Sequence, residues 1–184
     1  MARSKEDVIA IISPHAGYPY SGGVAASAFN QINPSKEFDN VFILASSHVK
    51  HLNGASIYDI GHYITPMGKV EVNLDLARKL VDEHEFFIFD KEAHQYEHSL
   101  EVQLPFLQHI YKEKLKIVPI VLGTQDPEMT KKIAEALRPY FNGRNLFVVS
   151  TDFSHYPEYE DACRTDSATA KAVLENKADA LLTS

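Results

Sequence analysis

The chain is built around short runs of consecutive apolar residues. Val8 to Ile12, Val41 to Ser46, Lys116 to Gly123 and Leu146 to Ser150 are each almost continuously apolar and rich in β-branched side chains. A strand with one wet face alternates; a strand covered on both faces, as in a parallel sheet between helices, reads like these. Between them, apolar residues recur at helical spacing in Leu74, Ala77, Leu80 and Val81, behind Asn73 as a cap. Asp126-Pro127 opens another helix, with a capping carboxylate and proline at the first helical position, which runs toward Tyr140 and closes at Asn142-Gly143. The pattern predicts one α/β domain over residues 1–184, with a mostly parallel or mixed central sheet flanked by helices.

Other segments carry more specific expectations. Gly17, Gly22 and Gly23 predict tight or left-handed turns before a small-residue helix from Val24 to Phe29. Residues 51–70 alternate short β-like pieces with glycine and proline, as in a hairpin-like excursion, and Phe86 to Phe89 reads as a short strand. Pro105 requires the helical stretch 94–112 to kink or begin near it. Pro119 argues for a bulge or an edge position in its strand. After Ser150, Ala162, Thr169, Ala170, Val173, Leu174 and Leu181 mark a helical tail.

Composition narrows the class. With 45% apolar and 23% charged residues in 184, the chain has material for a substantial core. A net charge of −7 argues against nucleic-acid or anionic-membrane surfaces. No run approaches the ~20 apolar residues of a membrane span, and the segment from Met1 to Asp7 does not resemble a signal peptide, so the expected compartment is the cytoplasm. A single cysteine, Cys163, fits a reducing environment and reads as a small helix residue.

The nine histidines, against eighteen Lys and Arg, change the picture most. Three follow apolar strands by one to five residues: His15, His48 and His155, the last three residues after Asp152. In a parallel sheet those strand ends share one rim, so the three imidazoles are expected to converge. Two neutral imidazoles plus an oxygen or sulfur ligand suit Fe(II), Zn(II) or Cu, and a histidine oriented by Asp152 would serve as general base or proton donor. Tyr18 and Tyr20, beside His15, either line the cleft or pack. His94 and His98 have the spacing of one helical face and read as surface or second shell. Glu97 and Glu101 read by default as helix-surface carboxylates, with Glu97 and His98 also candidates for the cleft or its second shell. His51, His62, His84 and His109 read as solvated or structural. Neither a Walker loop nor a dinucleotide fingerprint is present.

With these residues in view, the chain resembles the Memo family, also called AmmeMemoRadiSam system protein B. The resemblance rests on PHAGYPYSG at 14–22, SSH at 46–48, EHSLEVQLPF at 97–106, VPIVLG at 118–123 and STDFSHY at 150–156, spread over the whole chain in the family's order. It implies a fold like that of class III extradiol dioxygenases, with His15 and His48 as metal ligands and with Asp152 and His155, the expected catalytic pair, lining the same cleft. Fe(II) is the expected metal, with Zn or Cu as alternatives. In the family the third ligand is commonly a cysteine followed by glycine; the expectation is that it is absent from this chain, which would then be C-terminally truncated. The expected function is a metal-dependent oxidoreductase of the dioxygenase type. The alternatives are a non-catalytic module that holds a peptide or small ligand in the same cleft, and a metal-assisted hydrolase. Pathway partners resembling AMMECR1 and radical-SAM proteins follow from the family association.

Overall fold

A computed structural model describes residues 7–178 and divides the chain into two compact units, 1–151 and 152–184. The first unit is an α/β layer structure on an eight-stranded mixed sheet. Its strands are β1 (Ala10–Ser13), β2 (Asn40–Ser46), β3 (Ala55–Ile57), β4 (His62–Thr65), β5 (Gly68–Val72), β6 (Phe87–Ile88), β7 (Lys116–Leu122) and β8 (Asn145–Ser150). The order is β1-β8-β2-β7-β3-β6, with the β4–β5 hairpin joined to β7 through β5. β1, β8, β2 and β7 run parallel, so Ser13, Ser150, Ser46 and Leu122 end on one rim.

The continuous apolar runs are explained by two buried faces. Val41, Ile43 and Ala45 of β2 face one core with Ile117, Val121, Leu146 and Val148, covered by α1 (Tyr18–Phe29) and α5 (Leu104–Tyr111). Phe42, Val118, Ile120 and Phe147 face the other, covered by α2 (Leu74–Glu83) and α6 (Pro127–Leu137). Phe42 and Phe147 stack at 4.7 Å between centroids in that second core, both buried. Truncating such a side chain to alanine costs about 3–5 kcal/mol.

Two expectations are corrected. Pro119 lies in a central strand, opposite Ile43 of β2, instead of at an edge. Its missing N–H falls where the other neighbour of β7 changes from β5, paired as far as Ile117, to the antiparallel β3, whose last residue Ile57 pairs with Ile120. The ladder has no bond there to lose, and the Pro119 carbonyl accepts from Tyr58 N–H at 3.1 Å. Gly22 and Gly23 lie inside α1, which begins at Tyr18 with Pro19 in its first turn. A Cβ at Gly22 would sit 3.4 Å from that of Tyr18, so a small residue suits this helical position. The helix expected to begin near Pro105 is α5, which carries that proline in its first turn; α3 (Lys91–Gln95) and α4 (His98–Glu101) are separate helices before it.

Loop 47–54, which carries His48, is held closely against the end of β7. Leu52 N–H donates to Gly123 O at 2.9 Å, and a Cβ on Gly123 would come within 2.5 Å of Leu52 Cβ. In the second unit, α7 (Tyr159–Leu174) carries the exposed Cys163, and Ser154 N–H donates to Asp166 Oδ1 at 2.9 Å. Leu181, expected in the tail helix, lies outside the described residues, as do residues 1–6. Among the described residues no helix is long and apolar enough to cross a membrane.

Candidate metal centre

The rim of β1, β8 and β2 gathers three imidazoles. His15 stands two residues beyond β1 and is 3% exposed; His48 stands two residues beyond β2 and is exposed. His98 opens α4, and the serine after it ties that helix to the same rim: Ser99 Oγ donates to Ser46 O at 2.7 Å. Ring centroids are 5.1 Å apart for His15 and His48, 4.9 Å for His48 and His98, and 5.8 Å for His15 and His98.

Beneath them lies Glu97, 4% exposed, which caps α4 by accepting Ser99 N–H at 2.9 Å. Its Oε2 accepts His48 N–H at 2.6 Å and its Oε1 meets His48 Nδ1 at 2.9 Å, while His98 Nδ1 is 3.5 Å away. Burial alone would push the Glu97 carboxyl up. The backbone N–H groups of His48 and Ser99, with the His48 ring, more than offset it and hold the pKa at about 2. The carboxylate is therefore ionised, and His48 donates from Nδ1. Sequence spacing cast Glu97 as a surface carboxylate by default; the structure makes it the buried hub. The readable signal was an acidic residue two before Ser99, where a helix needs a cap.

The ligand atoms of His48, Glu97 and His98 lie within 4.8 Å of one another, a group that could hold a metal ion. His15 is tied in from the other side by Ser150 Oγ, 3.0 Å from its Nδ1. Ser150 Oγ in turn donates to Ser99 O at 2.6 Å and accepts from Gln103 Nε2 at 2.8 Å. Short polar residues such as Ser99, Gln103 and Ser150 gave no sign of this in the sequence.

The comparisons with known proteins agree with the motifs. A family model described as Memo-like protein matches residues 1–184. The chain belongs to the Memo-like family. Among its relatives, a MEMO1 family protein of Aeropyrum pernix is 41% identical over 182 residues, covering 97% of this chain and 64% of the relative. MEMO1 family proteins of Desulfurococcus amylolyticus and Sulfurisphaera tokodaii are each 37% identical over 176 residues, covering 94% of this chain and 62% of theirs. This Memo-like chain thus spans less than two thirds of the length of these relatives.

The remaining candidates are placed as follows. Tyr18 donates its hydroxyl to Val102 O at 3.0 Å and packs edge-on against Phe106, its phenol pKa raised by burial and by the Glu101 charge. Tyr20 is 87% exposed. Asp152, half-buried, and His155, exposed, belong to the second unit. His94, expected to share a helix face with His98, is buried on a different helix; its Nδ1 meets Tyr63 OH and its Nε2 meets Ser56 Oγ, both at 3.0 Å. Beside His48, Ser46, Lys50, Leu122, Thr124 and Gln125 line a cavity of about 500 Å³.

Proposed function

We propose that this chain is a metal-binding member of the Memo-like family whose imidazoles His15, His48 and His98 hold a divalent transition metal. The observation that carries the reading is the convergence of the three rings over a buried, ionised Glu97 bonded to His48 Nδ1. Carboxylate–histidine–metal arrangements have this form, the carboxylate fixing the ring so that Nε2 faces the ion. Both Glu97 oxygens already accept protein N–H groups, so its role in this reading is to orient and not to ligate. His98 takes the third position, which the resemblance reserves for a cysteine. Nitrogen ligation fits Fe(II), Zn(II) and Cu; the resemblance to extradiol dioxygenases favours Fe(II).

A bound metal of this kind would supply Lewis acidity and, if redox-active, electron exchange with dioxygen. The protein's part is to position the rings and to leave His48 and His98 open to solvent, beside the cavity of about 500 Å³ where a small molecule or peptide side chain fits. The proton-handling role of His155 and Asp152 is carried into this proposal from their place in the sequence after an apolar strand and from the resemblance. Anaerobic calorimetric titration of the chain with Fe(II), Zn(II) and Co(II) tests it. Micromolar or tighter binding, about −8 kcal/mol or better, is expected and should be lost in His48→Ala. Equal binding by both proteins would refute the assignment. Metal binding without oxygen reactivity would favour the binding-module reading over the oxidoreductase.

A further inference from the structure

The proton on His15 can be placed from its hydrogen-bond neighbours. Two backbone carbonyls, which can only accept, fix the sense of the network. Ser99 O lies 2.6 Å from Ser150 Oγ and takes the single hydroxyl proton. Pro14 O lies 3.0 Å from Gln103 Nε2, so the amide must present its nitrogen on that side, and the second N–H of that nitrogen donates to Ser150 Oγ at 2.8 Å. Ser150 Oγ has then spent its proton, and His15 Nδ1, at 3.0 Å, must be a donor. A neutral ring protonated at Nδ1 keeps its lone pair on Nε2.

We propose that Ser150 and Gln103 are positioning residues that lock His15 in the Nδ1–H tautomer and make Nε2 its ligating nitrogen, as Glu97 does for His48. A second observation points the same way. Gln103 is fully buried, yet its Oε1 has no hydrogen-bond partner. Buried acceptors are seldom left unsatisfied, and an aliphatic side chain would fill this volume without one. What Gln103 adds is its pair of N–H donors. The sequence joins the parts at a distance: Ser150 ends β8, Pro14 follows β1, and Gln103 precedes α5. The purpose assigned to the lock rests on the metal reading above, but the tautomer itself does not.

The test is long-range proton–nitrogen NMR correlation of the histidine rings in the metal-free, nitrogen-15-labelled chain. It is run at about pH 8.5, above the ordinary imidazole pKa of roughly 6.5. His15 is expected to show the Nδ1–H pattern. Ser150→Ala should shift it toward Nε2–H, the form a free imidazole favours, and Ser150→Thr, which keeps the hydroxyl, should restore it. Co(II) affinity should fall by about 10–100-fold in Ser150→Ala and recover in Ser150→Thr. An Nε2–H pattern for His15 in the unaltered chain overturns the proposal whether or not the variants fold, as does an unchanged tautomer in Ser150→Ala. An Nδ1–H pattern with no metal binding would leave the lock standing and refute the metal reading instead.

Discussion

His94 and His98 are four residues apart, and the structure gives them opposite situations. Both ring nitrogens of His94 are taken by hydroxyls, those of Tyr63 and Ser56, and the ring is 7% exposed. Burial depresses its pKa from 6.5 to about 4, so it is neutral and joins β3, β4 and α3 as a structural crosslink. His98 is exposed, its ring beside His48 and His15 and its Nδ1 turned to Glu97. The pair shows that a histidine's work is set by what its nitrogens meet. Spacing along the chain does not decide it.

The comparison breaks most visibly in acid, where two groups act in successive windows. His94 in the unfolded chain takes up a proton near pH 6.5, and in the fold only near 4, so stability is lost as pH falls through that interval. Glu97 has its folded pKa lowered from 4.5 to about 2, so its contribution is complete above 4.5 and lost as pH falls to 2. Each is worth roughly 3 kcal/mol. Denaturation midpoints measured across pH should therefore fall in two stages, and Glu97→Gln should flatten only the lower one. A single transition near pH 3 would contradict the neutral buried His94.

Somewhat smaller is the effect of His94→Ala, which empties the buried ring site and takes the His94 partner from the Tyr63 hydroxyl, while Ser56 Oγ keeps its bonds to Asp90. It should cost about 2–3 kcal/mol by urea denaturation while leaving metal affinity intact. His98→Ala should do the reverse, with stability changed by less than about 0.5 kcal/mol and metal binding weakened. Equal loss of metal binding in both would erase the distinction. Glu97→Gln should lower metal affinity by about 10–100-fold in a calorimetric titration, by releasing the His48 ring. The smallest effect is that of Tyr63→Phe, which removes one partner of His94 and should cost about 1 kcal/mol.

Much of the fold was legible because burial on both faces of a strand leaves an unmistakable apolar run. The same runs showed where the rim lies, since His15 and His48 follow strands that proved parallel neighbours of β8. What the sequence hid depends on which elements become neighbours. Pro119 reads as an edge residue until β5 and β3 are seen to meet beside it. Gly22 and Gly23 read as turn formers until Pro19 is seen to start the helix that contains them. Glu97 reads as a solvated carboxylate until it closes over the backbone of His48. The Ser150–Gln103 chain joins residues 47 positions apart through single polar atoms, which no periodicity records.

The claim on which the rest depends is that the rim imidazoles share one ion. Anomalous diffraction from crystals of the chain soaked in Co(II) or Zn(II) tests it directly. One strong peak is predicted, about 2.0–2.2 Å from an imidazole nitrogen of each of His15, His48 and His98, with no Glu97 oxygen bound. A peak held elsewhere, or one that omits His15 or takes Glu97 as a ligand, would contradict the account.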